Sequence, residues 1–173
     1  MRLFCLILLF CFSLSSCKSK SNVVTKKHRT AKTISKRNPS PSANTPKSIV
    51  NIIDYAKTFE GTRYKYGGTT KKGMDCSGLI FTTFQKENIV MPRTTGDLSK
   101  EGDWVDVKEV KEGDLLFFAT SKNSRSVNHV AIVTATRPGF VEFIHSTTSR
   151  GVIRSTLAER YWYLAYVQAR RVL

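Results

Sequence analysis

What most limits this chain is where its apolar residues fall. Residues 1–17 are almost wholly apolar, residues 18–47 almost wholly polar, and only residues 48–173 mix the two. A packed core needs apolar side chains at regular spacing among polar ones, so only the last segment can build one. The 173 residues suit one ordinary domain plus appendages. The expected division is therefore residues 1–16, 17–47 and 48–173.

The first segment reads as an export signal. Arg2 supplies a short positive start, and Leu3 to Leu14 form an apolar stretch too short to span a bilayer comfortably. It ends in Leu14-Ser15-Ser16-Cys17, which resembles the lipobox of bacterial lipoproteins, where the cysteine is acylated and becomes the new N-terminus. That resemblance implies lipidation of Cys17 and a membrane hold that a cleaved signal could not supply. Lys18 follows it where many inner-membrane lipoproteins carry aspartate, so the expected location is the outer membrane, facing the periplasm.

Removal of the signal changes the cysteine arithmetic. Cys5 and Cys11 leave with it and Cys17 is capped by lipid, so Cys76 is the one thiol of the mature domain. No intramolecular disulfide is then possible. A lone cysteine in an exported protein is either a tolerated buried residue or a reactive thiol, and its surroundings must decide.

The second segment carries nine Lys or Arg (Lys18, Lys20, Lys26, Lys27, Arg29, Lys32, Lys36, Arg37, Lys47) and no acid. It is rich in Ser, Thr, Asn and Pro and has no apolar periodicity, a composition that does not offset the entropy of ordering. It reads as a disordered tether of roughly 30 Å root-mean-square reach, with His28 playing no chemical part. Its charge first suggests nucleic acid, but export and lipidation argue against that partner. An anionic surface outside the cytoplasm or a merely solvated tether are the readings left open. Residues 48–173 hold eighteen basic and thirteen acidic residues, a net of +5 out of the chain's +15.

The folded part opens at Thr45-Pro46, an N-cap followed by proline at the first helical position. Ile49, Ile52, Ile53, Ala56 and Phe59 recur at helical spacing until Gly61. A loop from Thr62 to Met74 leads into Asp75-Cys76-Ser77-Gly78 and a second amphipathic helix that runs to about Asn88. Strands are expected at Trp104–Val107, Asp114–Ala119, Asn128–Ala135, Phe140–Ser146, Gly151–Arg154 and Tyr163–Arg171, with a short helix around Leu157–Tyr161. Helices first and an antiparallel meander afterwards give an α+β class.

Cys76 then sits in the first turn of a helix, where the unpaired N–H groups and the dipole favour thiolate over thiol. The same N–H groups can hold an oxyanion during acyl transfer. Leu79, Ile80 and Phe84 already furnish the apolar face of that helix, which speaks against a structural cysteine. A cysteine nucleophile needs a base, and the domain has two histidines, His129 and His145, in consecutive strands. A hairpin centred on Arg137 sets them directly opposite each other, with Cβ atoms about 4.5–5.5 Å apart. His129 would then accept the Cys76 proton and His145 would orient it, as a third group does in a catalytic triad.

The ordered set Gly61-Thr62-Arg63-Tyr64-Lys65-Tyr66-Gly67-Gly68, Asp75-Cys76-Ser77-Gly78, Pro92-Arg93-Thr94, Gly113-Asp114-Leu115-Leu116-Phe117-Phe118, His129-Val130-Ala131-Ile132-Val133 and Phe143-Ile144-His145-Ser146 resembles the NlpC-type family of papain-like cell-wall cysteine peptidases. The likeness spans about residues 48–173. It implies a papain-like fold, with the nucleophile at a helix N-terminus packed on an antiparallel sheet. It further implies Cys76 as nucleophile, His129 as base, His145 as orienting residue, and Tyr64, Asp75 and Ser77 at the substrate. The lipobox and the ending Ala169-Arg170-Arg171-Val172-Leu173 are similar to the Gram-negative murein endopeptidase lipoproteins, which open D-alanyl–diaminopimelate crosslinks.

The resemblance implies no metal or other cofactor, peptidoglycan as substrate, and a monomer. The sequence contains no metal-ligand spacing, phosphate loop or dinucleotide fingerprint. Competing readings are cleavage at γ-D-glutamyl–diaminopimelate within one stem, a non-catalytic wall-binding lipoprotein, and a toxin or acyltransferase on the same fold. Tyr64 and Tyr66 could also be loop packing, Asp114 a turn residue, and Trp104, Trp162, Phe117 and Phe118 core or groove wall.

Overall fold

The isoleucine spacing folds as helix α1, Lys47–Lys57, which buries Ile49, Ile52, Ile53 and Ala56 along one side. In this computed structural model, residues 45–173 are described; the signal, Cys17 and most of the basic tether lie outside the described residues. The helix begins one residue later than expected. Pro46, with ψ 145°, is the boundary residue, and its carbonyl accepts the first helical bond from Val50 N at 3.1 Å. Proline fixes φ but not ψ, so it serves as easily just outside a helix as at its first position.

The loop after α1 contains a two-stranded hairpin that the sequence did not suggest, β1 (Thr69–Thr70) with β2 (Gly73–Met74). Helix α2, Cys76–Gln85, follows at once. It stops short of Asn88, which takes a left-handed φ of 60° in the turn beyond. A four-residue helix α3, Thr95–Leu98, is also new; Thr94 caps it by accepting from Asp97 N at 3.2 Å.

The remaining strands are β3 (Asp103–Val105), β4 (Leu115–Phe118), β5 (His129–Arg137), β6 (Phe140–Thr147), β7 (Gly151–Thr156) and β8 (Tyr166–Arg171). They form one antiparallel sheet in the order β3-β8-β4-β5-β6-β7. Strands β4 to β7 are a meander, and β8 returns to the far side of β4. The α+β class is as expected. The last helix, however, falls at Arg160–Ala165 (α4) rather than Leu157–Tyr161, and β8 is shortened to make room. Leu157 is still tied to the sheet, its N–H donating to Val141 O at 3.0 Å.

Both faces of the sheet are covered, which explains the unbroken apolar runs of β4 and β5. On one face Leu115, Phe117, Val130, Ile132, Ile144 and Val152 meet α1 and α2. On the other, Leu116, Phe118, Ala131, Val133 and Phe143 meet Val105, Val110, Ala169 and Trp162 of α4. Phe117, Phe118 and Trp162 are therefore core, as expected, whereas Trp104 is 62% exposed at the sheet edge. No helix among the described residues is long and apolar enough to cross a membrane.

The β5–β6 register departs from the symmetric hairpin. Arg137 pairs with Phe140, so the turn is Pro138-Gly139, with Gly139 at φ 73°; proline followed by a left-handed glycine is a type II turn. A bulge between Val133 and Ala135 then takes back one residue, leaving Ile132 opposite Ile144. His129 and His145 are thus not directly opposed. The net slip is two residues, an even number, so both histidines stay on one face as diagonal neighbours.

Candidate active site

Asp75 organises the start of α2. Its Oδ1 accepts from Gly78 N at 2.6 Å, capping the helix, and its Oδ2 accepts from Gly67 N at 2.6 Å. Arg93 clamps the same carboxylate, Nη1 to Oδ1 at 3.0 Å and Nη2 to Oδ2 at 2.8 Å, and donates to Ser77 Oγ at 2.8 Å. Burial by itself would raise the Asp75 carboxyl, but the bonds from Arg93, Gly78 and Gly67 with the Arg93 charge hold it below the ordinary aspartate range. Gly78 is needed for space: a Cβ there would lie 2.1 Å from Gly68 O, so the helix start and the preceding loop touch backbone to backbone.

Cys76 follows as the first residue of the helix and is 9% exposed. Its Sγ lies 3.7 Å from Thr95 Oγ1. Burial pushes the thiol up, and hydrogen bonding from Thr95 and the N–H groups of Val130 and Ser77 only partly opposes this; the Asp75 charge acts upward as well. Desolvation and the carboxylate next door thus act against the thiolate that the helix N-terminus was expected to favour.

The two histidines form a buried pair, His129 Nε2 to His145 Nδ1 at 2.8 Å, and His145 Nε2 reaches Ser155 Oγ at 3.1 Å. Trp162 stacks on His129 at 5.5 Å between ring centroids and stands edge-on to His145 at 4.5 Å. Burial lowers His129 to about 4, and His145 lies lower still for the same reason, with the charges of His129 and Arg150 adding to it. Both rings are neutral at neutral pH. One direction of bonding leaves a base: His145 Nε2–H donates to Ser155, its bare Nδ1 accepts from His129 Nε2–H, and His129 Nδ1 is left unprotonated.

Tyr64, Cys76 and His129 line one cleft of about 450 Å³, with Trp162, Asn128 and the β6–β7 turn completing its walls. Fully buried His145 sits behind His129, outside that lining. Burial raises the Tyr64 hydroxyl, and the Asp75 charge, with that of Cys76 when it is a thiolate, acts in the same direction. Asp114, the suspected turn residue, is bound bidentately by Arg171 at 2.9 and 2.8 Å, away from the cleft. A larger groove of about 720 Å³ beneath the β5–β6 turn contains none of these groups. No group of three or more His, Cys, Asp or Glu among the described residues could hold a metal ion.

The structure thus brings together Tyr64, Cys76 and His129 at the cleft and Asp75 and Ser77 through Arg93. Three contributors were not assigned roles from sequence: Arg93, Thr95 and Ser155; Trp162, expected as core or groove wall, serves as both. Arg93 stood in a noted motif, but nothing local says that its guanidinium reaches back to Asp75. Ser155 requires the β6–β7 register, in which it lies opposite Phe143 on the face His145 shares.

Such an arrangement is able to pass a proton from thiol to imidazole in a partly dry cleft and to steady a developing oxyanion at a helix start. Known proteins give it a context. The chain is 35% identical to the probable endopeptidase NlpC of Escherichia coli K12, over 98% of this chain and 99% of that one. It is 39% identical to the murein DD-endopeptidase MepS/murein LD-carboxypeptidase of the same organism, over 70% of this chain and 62% of that one. Among solved structures, an NlpC/P60 family protein from Bacillus cereus superposes with a TM-score of 0.66 at 33% identity, covering 78% of this chain and 41% of that one. The NlpC/P60 family model itself matches residues 61–171, and with the papain-like α+β fold around Cys76 the chain belongs to the NlpC/P60 family.

Proposed function

We propose that this protein is a peptidoglycan endopeptidase that hydrolyses peptide crosslinks at D-alanyl–diaminopimelate, with Cys76, His129 and His145 as its catalytic triad. The observation that carries this reading is the 2.8 Å His129–His145 bond, which leaves the other His129 nitrogen for a thiol in the same cleft. His129 Nδ1 takes the Cys76 proton as Sγ attacks the D-alanyl carbonyl. The N–H groups at the start of α2 stabilise the oxyanion, and His129 returns the proton to the leaving amine. Water, deprotonated by the same nitrogen, then opens the thioester. His145, bonded to Ser155, keeps the His129 tautomer.

In this reading Tyr64 borders the reacting carbonyl, and Asp75 and Ser77 meet substrate from the helix start. Lipid on Cys17 and the basic segment 17–47 tether residues 48–173 to the outer membrane, and the protein acts as a monomer in the periplasm without a cofactor. The full chain is expected to convert crosslinked muropeptide dimers to monomers, read by mass spectrometry, and Cys76→Ala to abolish this. Activity surviving in Cys76→Ala would sink the mechanism. Products cut inside one stem would instead point to the γ-D-glutamyl–diaminopimelate bond.

A further inference from the structure

The β6–β7 turn contributes Thr147, Thr148, Ser149 and Arg150 to the cleft that holds Cys76 and His129. The turn is fastened twice. Arg150 N donates to Thr147 Oγ1 at 3.0 Å, and Thr147 Oγ1 donates to Gly151 O at 3.2 Å. Gly151, at φ 68°, lets the strand approach Thr62 so closely that a Cβ would lie 2.0 Å from Thr62 O. Val152 N then donates to Thr62 O at 2.9 Å, which joins this turn to the loop that carries Tyr64. The rim is therefore built rather than loose.

Its one cation has no use within the fold. The Arg150 side chain makes no hydrogen bond or ion pair with any described residue, unlike Arg93, Arg154 and Arg171, which all hold carboxylates. Glu159 lines the same cleft, but its Oε1 is occupied by Thr156 N at 2.8 Å and it does not pair with Arg150. Arg150 lies on the turn that directly follows β6, the strand that carries His145, and lines the cleft together with His129; its charge reaches His145. The histidines mark the side of the leaving group, because His129 must hand its proton to the departing amine.

We infer that Arg150 receives the carboxylate carried by the residue whose amine departs, and so selects substrates with a free carboxylate beside the scissile bond. This rests on the crosslink reading, in which the departing diaminopimelate centre bears such a carboxylate. The planar guanidinium matches a carboxylate bidentately, and the exposed Arg150 side chain is open to a ligand that enters the cleft.

The test compares two crosslinked dimers with the full-length protein, one with that carboxylate free and one with it amidated. The wild type is expected to favour the free form about ten- to hundredfold in kcat/KM, the range of one hydrogen bond between charged groups. Arg150→Gln is expected to lose that factor on the free dimer only, and Arg150→Lys to keep part of it. Equal losses on both dimers in Arg150→Gln, or a preference that survives it, overturn the assignment. A wild type that processes both dimers equally does the same while leaving the crosslink reading intact. A wild type that opens neither overturns the crosslink reading and this inference with it.

Discussion

Ser155 offers the sharpest separation of structure from chemistry. Its Oγ is the partner of His145 Nε2 at 3.1 Å, and His145 is fully buried. In Ser155→Ala, the tautomer that serves catalysis leaves a buried N–H without an acceptor, which costs about 1–3 kcal/mol. His145 escapes that cost by moving its proton to Nδ1. It then donates to His129 Nε2, whose own proton must sit on Nδ1, and the nitrogen facing the thiol ceases to be a base. The productive state is now the minor one by those 1–3 kcal/mol, so kcat/KM should fall about five- to hundredfold. Stability should fall far less, because the protein settles in the tautomer that satisfies every remaining bond. The assay pairs initial rates on a crosslinked dimer with urea unfolding of the same preparation. Ser155→Thr, which keeps the hydroxyl, should retain most activity. Full activity in a folded Ser155→Ala protein would refute the proton arrangement, and with it the role given to His145.

Two further outcomes follow from the same geometry. The unfolded chain protonates its histidines below pH 6.5 while folded His129 resists to about pH 4, so stability is complete above 6.5 and declines as pH falls through that interval. His129 alone is worth about 3 kcal/mol there, visible as a falling Tm; a Tm unchanged from pH 7 to 4.5 would contradict it, and His129→Gln should flatten the decline. Arg93→Leu strands the buried Asp75 carboxylate and should cost about 2 kcal/mol, less than a fully buried pair because Arg93 is one-third exposed. Urea unfolding reads this, and adding Asp75→Asn to Arg93→Leu should recover part of the loss; no recovery would show that the clamp acts on something other than that charge.

How much of this was legible in the sequence depends on the range of the interaction. The α2 start was, because Asp75, Cys76 and Gly78 act within one helical turn, and a cap needs only its own neighbours. The thiol's charge state was not. It depends on burial, which raises the thiol, and on Thr95 and Val130, which lower it and come from distant parts of the chain. The histidine pair shows why a wrong register still led to the right partners. Counting from a turn at Arg137 missed both the Pro138-Gly139 type II turn and the Thr134 bulge. The two errors oppose each other, and their remainder is two residues. A strand's side chains repeat every two residues, so an even slip changes which residue lies directly across but not which face it occupies. An odd slip would have put His145 on the face of Ile132, against the helices, with no route to His129. The bulge is thus what makes the remainder even, and removing its extra residue by deleting Thr134 should separate the imidazoles onto opposite faces.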